Sequence, residues 1–216
     1  MMLTIKKEQY EWHHVPFLHA VIKDVFPKSL IEAARIQWPD KTWEHWHNYS
    51  SPESNKLASK DTHRMPPACN AIFNHLCELD VGPLLGLREI VFPDYSGHAA
   101  GMHWLLPGGY LQPHIDALQH PQTGWTRKLS VCLYLDDCPE APLLLYSLKG
   151  EVISKSIKVK KNTAVIFECN EESYHGIPKG PELWPGRRSL SCFFWGHPTE
   201  EELNTSAKFK IGESNE

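Results

Sequence analysis

The chain has 216 residues, of which 41% are hydrophobic, 11% aromatic and 22% charged, so it can bury a core and is neither disordered nor fibrous. A formal net charge of −4 argues against a protein that holds nucleic acid by a basic face alone. Thirteen histidines against six cysteines favour a metal site of imidazole type over one built on thiolates.

The opening residues Met1 to Lys7 are followed by no apolar stretch of the signal-peptide kind, and no run of about eighteen apolar residues occurs. The expectation is a protein of the cytoplasm, without a membrane span. Cys69, Cys77, Cys132, Cys138, Cys169 and Cys192 form no CxxC pair and read as reduced, mostly buried thiols.

In chain order, Phe26 to Ile36 reads as an amphipathic helix, with Ser29 as candidate N-cap and Pro39 beyond its end. The aromatic, histidine-rich stretch Trp43 to Tyr49, continuing to Thr62, reads as a long loop. It is either a substrate lip or a packed surface loop. Met65 to Leu79 carries apolar residues at three/four spacing and predicts a second helix. After residue 90 short strands follow: Met102 to Leu106, closed by Pro107-Gly108-Gly109, then Tyr110 to Asp116, Lys128 to Leu135, Pro142 to Leu148, Glu151 to Val159, Thr163 to Glu168 and Arg187 to Trp195. About seven strands with no helix between them predict an antiparallel sandwich or barrel, flanked on one side by the helices. The chain divides into an N-terminal helical support region (1–94), a β core (95–198) and a polar, partly mobile tail (199–216), all in one domain.

His114-Ile115-Asp116 falls in a predicted strand, where residues two apart project from one face and can grip one ion. One imidazole and one carboxylate are two-thirds of the facial triad of non-haem Fe(II) oxygenases. Chance supplies about half an HxD in a chain of this composition, so the motif needs context. Downstream stand a β run from Asn162 to Phe167, then Tyr174-His175-Gly176, then Arg187-Arg188-Ser189 at the start of the last strand.

This ordered set, covering residues 95 to 196, resembles the 2-oxoglutarate/Fe(II)-dependent dioxygenases, most closely their prolyl-hydroxylase-like branch. The resemblance implies a double-stranded β-helix (a jelly-roll, cupin-like core) with iron held by His114, Asp116 and His175. It implies Fe(II), 2-oxoglutarate and O2 as requirements and admits ascorbate. By the same resemblance Tyr134 and Arg187, with Ser189 two residues on, serve 2-oxoglutarate. A guanidinium offers a carboxylate a bidentate fork, and Ser189 shares the strand face of Arg187. Arg188 points the other way in a regular strand, and the doublet leaves the choice open. His103 and Trp104 either line the pocket or belong to the core.

The pattern departs from the family in two places. Ala141 to Leu145 replaces the usual Gly-Gly-acidic stretch, and Lys179 to Gly186 lengthens the segment between His175 and Arg187. The implied reaction is hydroxylation of a C–H bond, with release of succinate and CO2. The implied substrate is an amino-acid residue in a protein or peptide, or a small molecule such as a free amino acid. Nucleic acid is disfavoured, because Cys192-Phe193-Phe194-Trp195 stands where demethylases of the superfamily carry a second arginine. The oligomeric state is left open. Two rivals remain: a cupin-like metal binder without turnover, which has no use for Arg187 facing the metal, and a structural sandwich, which predicts His114 and His175 far apart.

Overall fold

The computed structural model describes residues 10–49, 53–79, 81, 90–94, 97–198 and 208–209. The described residues include the helices α1 (Lys28–Gln37) and α2 (Pro67–Cys77) and the strands β1 (Tyr10–His13), β2 (His19–Lys23), β3 (Trp46–Tyr49), β4 (Glu53–Ser59), β5 (Phe92–Pro93), β6 (Gly101–Ile115), β7 (Thr126–Tyr134), β8 (Cys138–Ser147), β9 (Val152–Val159), β10 (Thr163–Glu168), β11 (His175–Ile177), β12 (Arg187–Gly196) and β13 (Lys208–Phe209). The main path of the sheet runs β1-β2-β10-β7-β12-β6-β11-β8-β9, antiparallel throughout. It curls into the jelly roll that the family resemblance implies.

Alternation along the central strands sorts side chains into two layers. Leu129, Val131 and Leu133 of β7, with Leu190 and Cys192 of β12 and Ala164 and Ile166 of β10, pack with the buried faces of α1 and α2. Tyr134, Val165 and Phe167 instead pack with Leu143 and Leu145 inside the curl. Apolar residues on both faces make these strands nearly continuous hydrophobic runs, as a sheet covered on both sides requires.

Several expectations are corrected. The N-terminal third is not only helical: β1 and β2 extend the sheet beyond β10, and the supposed loop at Trp43–Tyr49 ends in β3, paired with β4. Trp46 packs between Trp43, at 5.0 Å between ring centroids, and Trp38 at 5.9 Å, so these indoles are core. Pro107-Gly108-Gly109 closes nothing, because β6 runs through it for 15 residues. Pro27, not Ser29, holds the cap position of α1, with no side-chain cap. Its fixed φ suits a helix start as well as a capping hydroxyl does. The tail expected at 199–216 lies outside the described residues except for Lys208–Phe209, which pairs with the end of β6.

Candidate metal centre and its cavity

β6 and β11 lie in register with His175 opposite His114, which brings the two imidazoles to 4.3 Å between centroids. The sandwich rival, with these residues far apart, is thereby excluded. Gly176 follows because β11 passes close to β6: a Cβ there would stand 2.8 Å from the Leu111 carbonyl oxygen and 3.2 Å from the Pro113 nitrogen. Asp116 is the first residue past the end of β6, and its Oδ1 lies 3.6 Å from His114 Nε2 and 3.7 Å from His175 Nε2. The three ligand atoms fall within 4.8 Å of one another.

Each imidazole is locked by its own backbone. His114 Nδ1 donates to the Gln112 carbonyl at 2.9 Å, and His175 Nδ1 donates to the Ser173 carbonyl at 3.0 Å. A carbonyl can only accept, so each ring carries a proton on Nδ1 and turns its Nε2 toward Asp116. Burial, reinforced by the neighbouring His114, pushes the His175 imidazole down to about 4, which keeps it neutral and ready to ligate.

The Asp116 carboxylate is held from behind. Its Oδ2 accepts from Ser130 Oγ at 2.9 Å and pairs with Arg127 Nη1 at 3.0 Å. Burial alone would raise this carboxyl. The Arg127 guanidinium and the two histidines outweigh it and hold the group well below the usual carboxylate range. Arg127 itself is buried and lies flat over Phe193, 3.8 Å from the ring centroid.

Sequence reading misses Arg127, because strict alternation puts it on the helix side with Leu129. The β7–β12 register slips at this point: Phe194 faces Leu129 but Trp195 faces Arg127, so Lys128 is an extra residue in β7. Such a bulge turns the following residue to the other face. Lone alternation carries no signal of it.

The triad opens on a cavity of about 110 Å³. Arg187 and Ser189 line it, as do His103 and Lys56. Arg187 is buried, donates Nη1 to the Ala141 carbonyl at 3.1 Å and stacks its guanidinium 4.7 Å from the Tyr134 ring centroid. Gly186 precedes it at φ +93°, where a Cβ would stand 2.6 Å from the Leu105 carbonyl oxygen. The Tyr134 hydroxyl is fully buried beside Arg187 and makes no hydrogen bond among the described residues. Burial pushes the phenol upward against the opposing pull of Arg187. Arg188 faces away from the cavity: its Nε and Nη2 grip the two oxygens of Asp136, at 2.8 and 2.6 Å. His103 faces the cavity and donates Nε2 to the Ala99 carbonyl at 3.1 Å, while Trp104 packs against Trp46 on the helix side.

The donor set tests well against a divalent metal. Two imidazoles with Nδ1 held by backbone carbonyls and Nε2 turned toward one ionised carboxylate form the facial set suited to Fe(II). Beside them, a buried guanidinium with five donors spends one on Ala141, and a buried phenol spends none, which suits a carboxylate-bearing co-substrate.

A jelly roll carrying two histidines and one carboxylate in its mouth is the class that this fold and site define. Residues 100–195 match the family model of the 2OG-Fe(II) oxygenase superfamily. The matched family is one of oxygenases that use iron and 2-oxoglutarate. No curated protein matches the sequence significantly. Among solved structures, the fold is similar to HygX from Streptomyces hygroscopicus with nickel, 2-oxoglutarate and hygromycin B bound (13% identity, TM-score 0.57, covering 89% of this chain and 92% of that one). It is similar to a Pseudomonas putida prolyl-4-hydroxylase (17%, 0.53, 83% and 92%). It is also similar to a Trichoplax adhaerens prolyl hydroxylase in complex with a hypoxia-inducible-factor peptide (14%, 0.61, 82% and 83%). No helix among the described residues is long and apolar enough to cross a membrane.

Proposed function

We propose that the enzyme hydroxylates a C–H bond of an amino-acid residue in a protein or peptide, or of a free amino acid. The convergence of His114 Nε2 and His175 Nε2 on Asp116 Oδ1, in one cavity with a buried Arg187, carries this reading. In it His114, Asp116 and His175 hold Fe(II), while Arg187 and Ser189 take the far carboxylate of 2-oxoglutarate and the Tyr134 phenol donates to it. Iron bound there supplies the coupled oxidation: 2-oxoglutarate, O2 and R–H give succinate, CO2 and R–OH.

The chain's own contributions are orientation and charge. The backbone carbonyls of Gln112 and Ser173 fix both imidazoles, Arg127 and Ser130 keep Asp116 ionised and turned, and the leucines and Phe167 around the cavity exclude water. An aspartate at this position also favours oxygenation over halogenation, which needs that ligand position vacated for halide. The purely metal-binding alternative leaves the buried guanidinium without work.

The chain is read as one catalytic domain, with 1–94 as support, 95–198 as core and 199–216 as tail. All six cysteines are free thiols, and five are buried, which suits the cytoplasm. The test is succinate formed from 2-oxoglutarate under air with added Fe(II). Turnover lost in Asp116→Ala supports the reading. Equal succinate with and without iron, or in Asp116→Ala, defeats it.

A further inference from the structure

Asp116 and the Arg127 that holds it from behind stand at the two ends of one loop, and a buried histidine organises that loop. The chain reverses there between β6 and β7. Arg127 N–H donates to the Leu118 carbonyl at 2.6 Å, and His120 N–H donates to the Trp125 carbonyl at 2.7 Å. Three successive N–H groups of the tip end on His120. Gln122 and Thr123 donate theirs to its Nδ1, at 3.2 and 3.3 Å, and Gly124 donates to its carbonyl at 3.0 Å. Pro121, Gln122 and Thr123 are themselves exposed, so the tip is held by these hydrogen bonds and not by its own burial.

An Nδ1 that accepts carries no proton, so the proton of the His120 ring is on Nε2. Asp94 Oδ2 stands 3.4 Å from that Nε2, and both side chains are buried. The carboxylate is anchored in turn: Oδ2 accepts from His98 N–H at 2.9 Å, and Asp94 N–H donates to the Phe193 carbonyl of β12 at 3.2 Å. A negative charge on this side favours the proton at Nε2 and leaves Nδ1 to serve the tip. The imidazole also meets Trp195 edge-on, at 4.9 Å between centroids, and the Arg127 guanidinium is 5.1 Å from the same indole. His120 and Arg127 are therefore registered on one residue of β12, while His120 does not line the cavity.

We infer, resting on the metal-centre reading above, that His120 is a positioning residue of that centre. By fixing the loop it holds Arg127 against Asp116, and so keeps Asp116 Oδ1 turned toward the two histidines. It acts through Arg127 and not by contact with the metal.

The test titrates the full chain with Co(II), whose visible absorption reports the filled site without turnover. A wild-type chain that binds no Co(II) defeats the metal-centre reading itself, before any variant is made. In His120→Leu, shown to be folded by circular dichroism, affinity for Co(II) should fall about tenfold. His120→Asn puts an amide oxygen where Nδ1 stood and should restore most of the affinity. His120→Gln, whose oxygen lies one bond further out, should not. In the Arg127→Gln background the further loss from His120→Leu should disappear, because the residue through which it acts is gone. A merely structural role would lower the unfolding temperature and leave these affinities of the folded chain in place. Three results overturn the inference: a folded His120→Leu that binds Co(II) like wild type, an Asn variant no better than Leu, or losses that multiply in the double variant. If His120→Leu does not fold, Asn against Gln decides in its place, and equal affinity of the two overturns the inference.

Discussion

The two oxygens of Asp116 have different work. Oδ1 faces the histidines, while Oδ2 is occupied by Arg127 and Ser130, so the carboxylate presents one oxygen in one direction. A ligand held this way needs no reorganisation when a metal arrives. Arg127→Gln removes the charge behind the ligand and leaves the triad itself intact. Affinity for Fe(II), or for Co(II) as a spectroscopic substitute, should fall by about 10–100-fold. Metal affinity equal to wild type would show that Arg127 only packs. At this scale the chemistry of the ligands is legible in the chain, because HxD, His-Gly and Arg-x-Ser each carry their residue types in order. Arg127 and Lys56 are not. The first depends on a bulge that no local pattern announces, and the second depends on a pairing between segments about fifty residues apart.

At the scale of elements, the site depends on two strands meeting at a fixed distance. β11 has only three residues, and His175 reaches His114 because Gly176 lets the backbones approach. Gly176→Ala would press a methyl against the Leu111 carbonyl, which is backbone and cannot swing aside. The expected cost is about 1–3 kcal/mol of stability, by thermal or urea unfolding, together with weaker metal binding. Unchanged metal affinity would mean that β11 does not set the ligand geometry. Strands β7 to β10 and β12 are legible from alternation and turn residues, whereas the short β11 and β13 are not. β1, β2 and the β3–β4 hairpin are not, since short strands rich in His, Trp and charged residues acquire their structure from the sheet they join. Pro107-Gly108-Gly109 looks like a turn and is instead mid-strand, tied to the segment that precedes β12: Gly108 N–H donates to the Pro181 carbonyl and Gly180 N–H to the Gly109 carbonyl.

For the whole molecule, the helices and the major sheet form one core and the inside of the curl a second, and the cavity lined by His114, Asp116 and His175 shares Phe167 and Leu143 with the second. A ligand that bridges strands from both halves of the curl should stabilise the entire fold by linkage. Saturating metal with 2-oxoglutarate, at about a hundred times the dissociation constant, should add about 2.7 kcal/mol and raise the melting temperature by roughly 5–10 °C. In Asp116→Ala that shift should vanish. A shift of equal size in both proteins would place the ligands elsewhere on the surface.

The central claim is that this cavity binds iron through His114, Asp116 and His175, and 2-oxoglutarate through Arg187. Anaerobic titration with Fe(II) and 2-oxoglutarate tests it most directly. The account predicts a visible charge-transfer band that saturates at one 2-oxoglutarate per chain, is absent in Asp116→Ala, needs far more 2-oxoglutarate in Arg187→Ala and is unchanged in Arg188→Ala. A band that survives in Asp116→Ala, or one weakened by Arg188→Ala and not by Arg187→Ala, would contradict it.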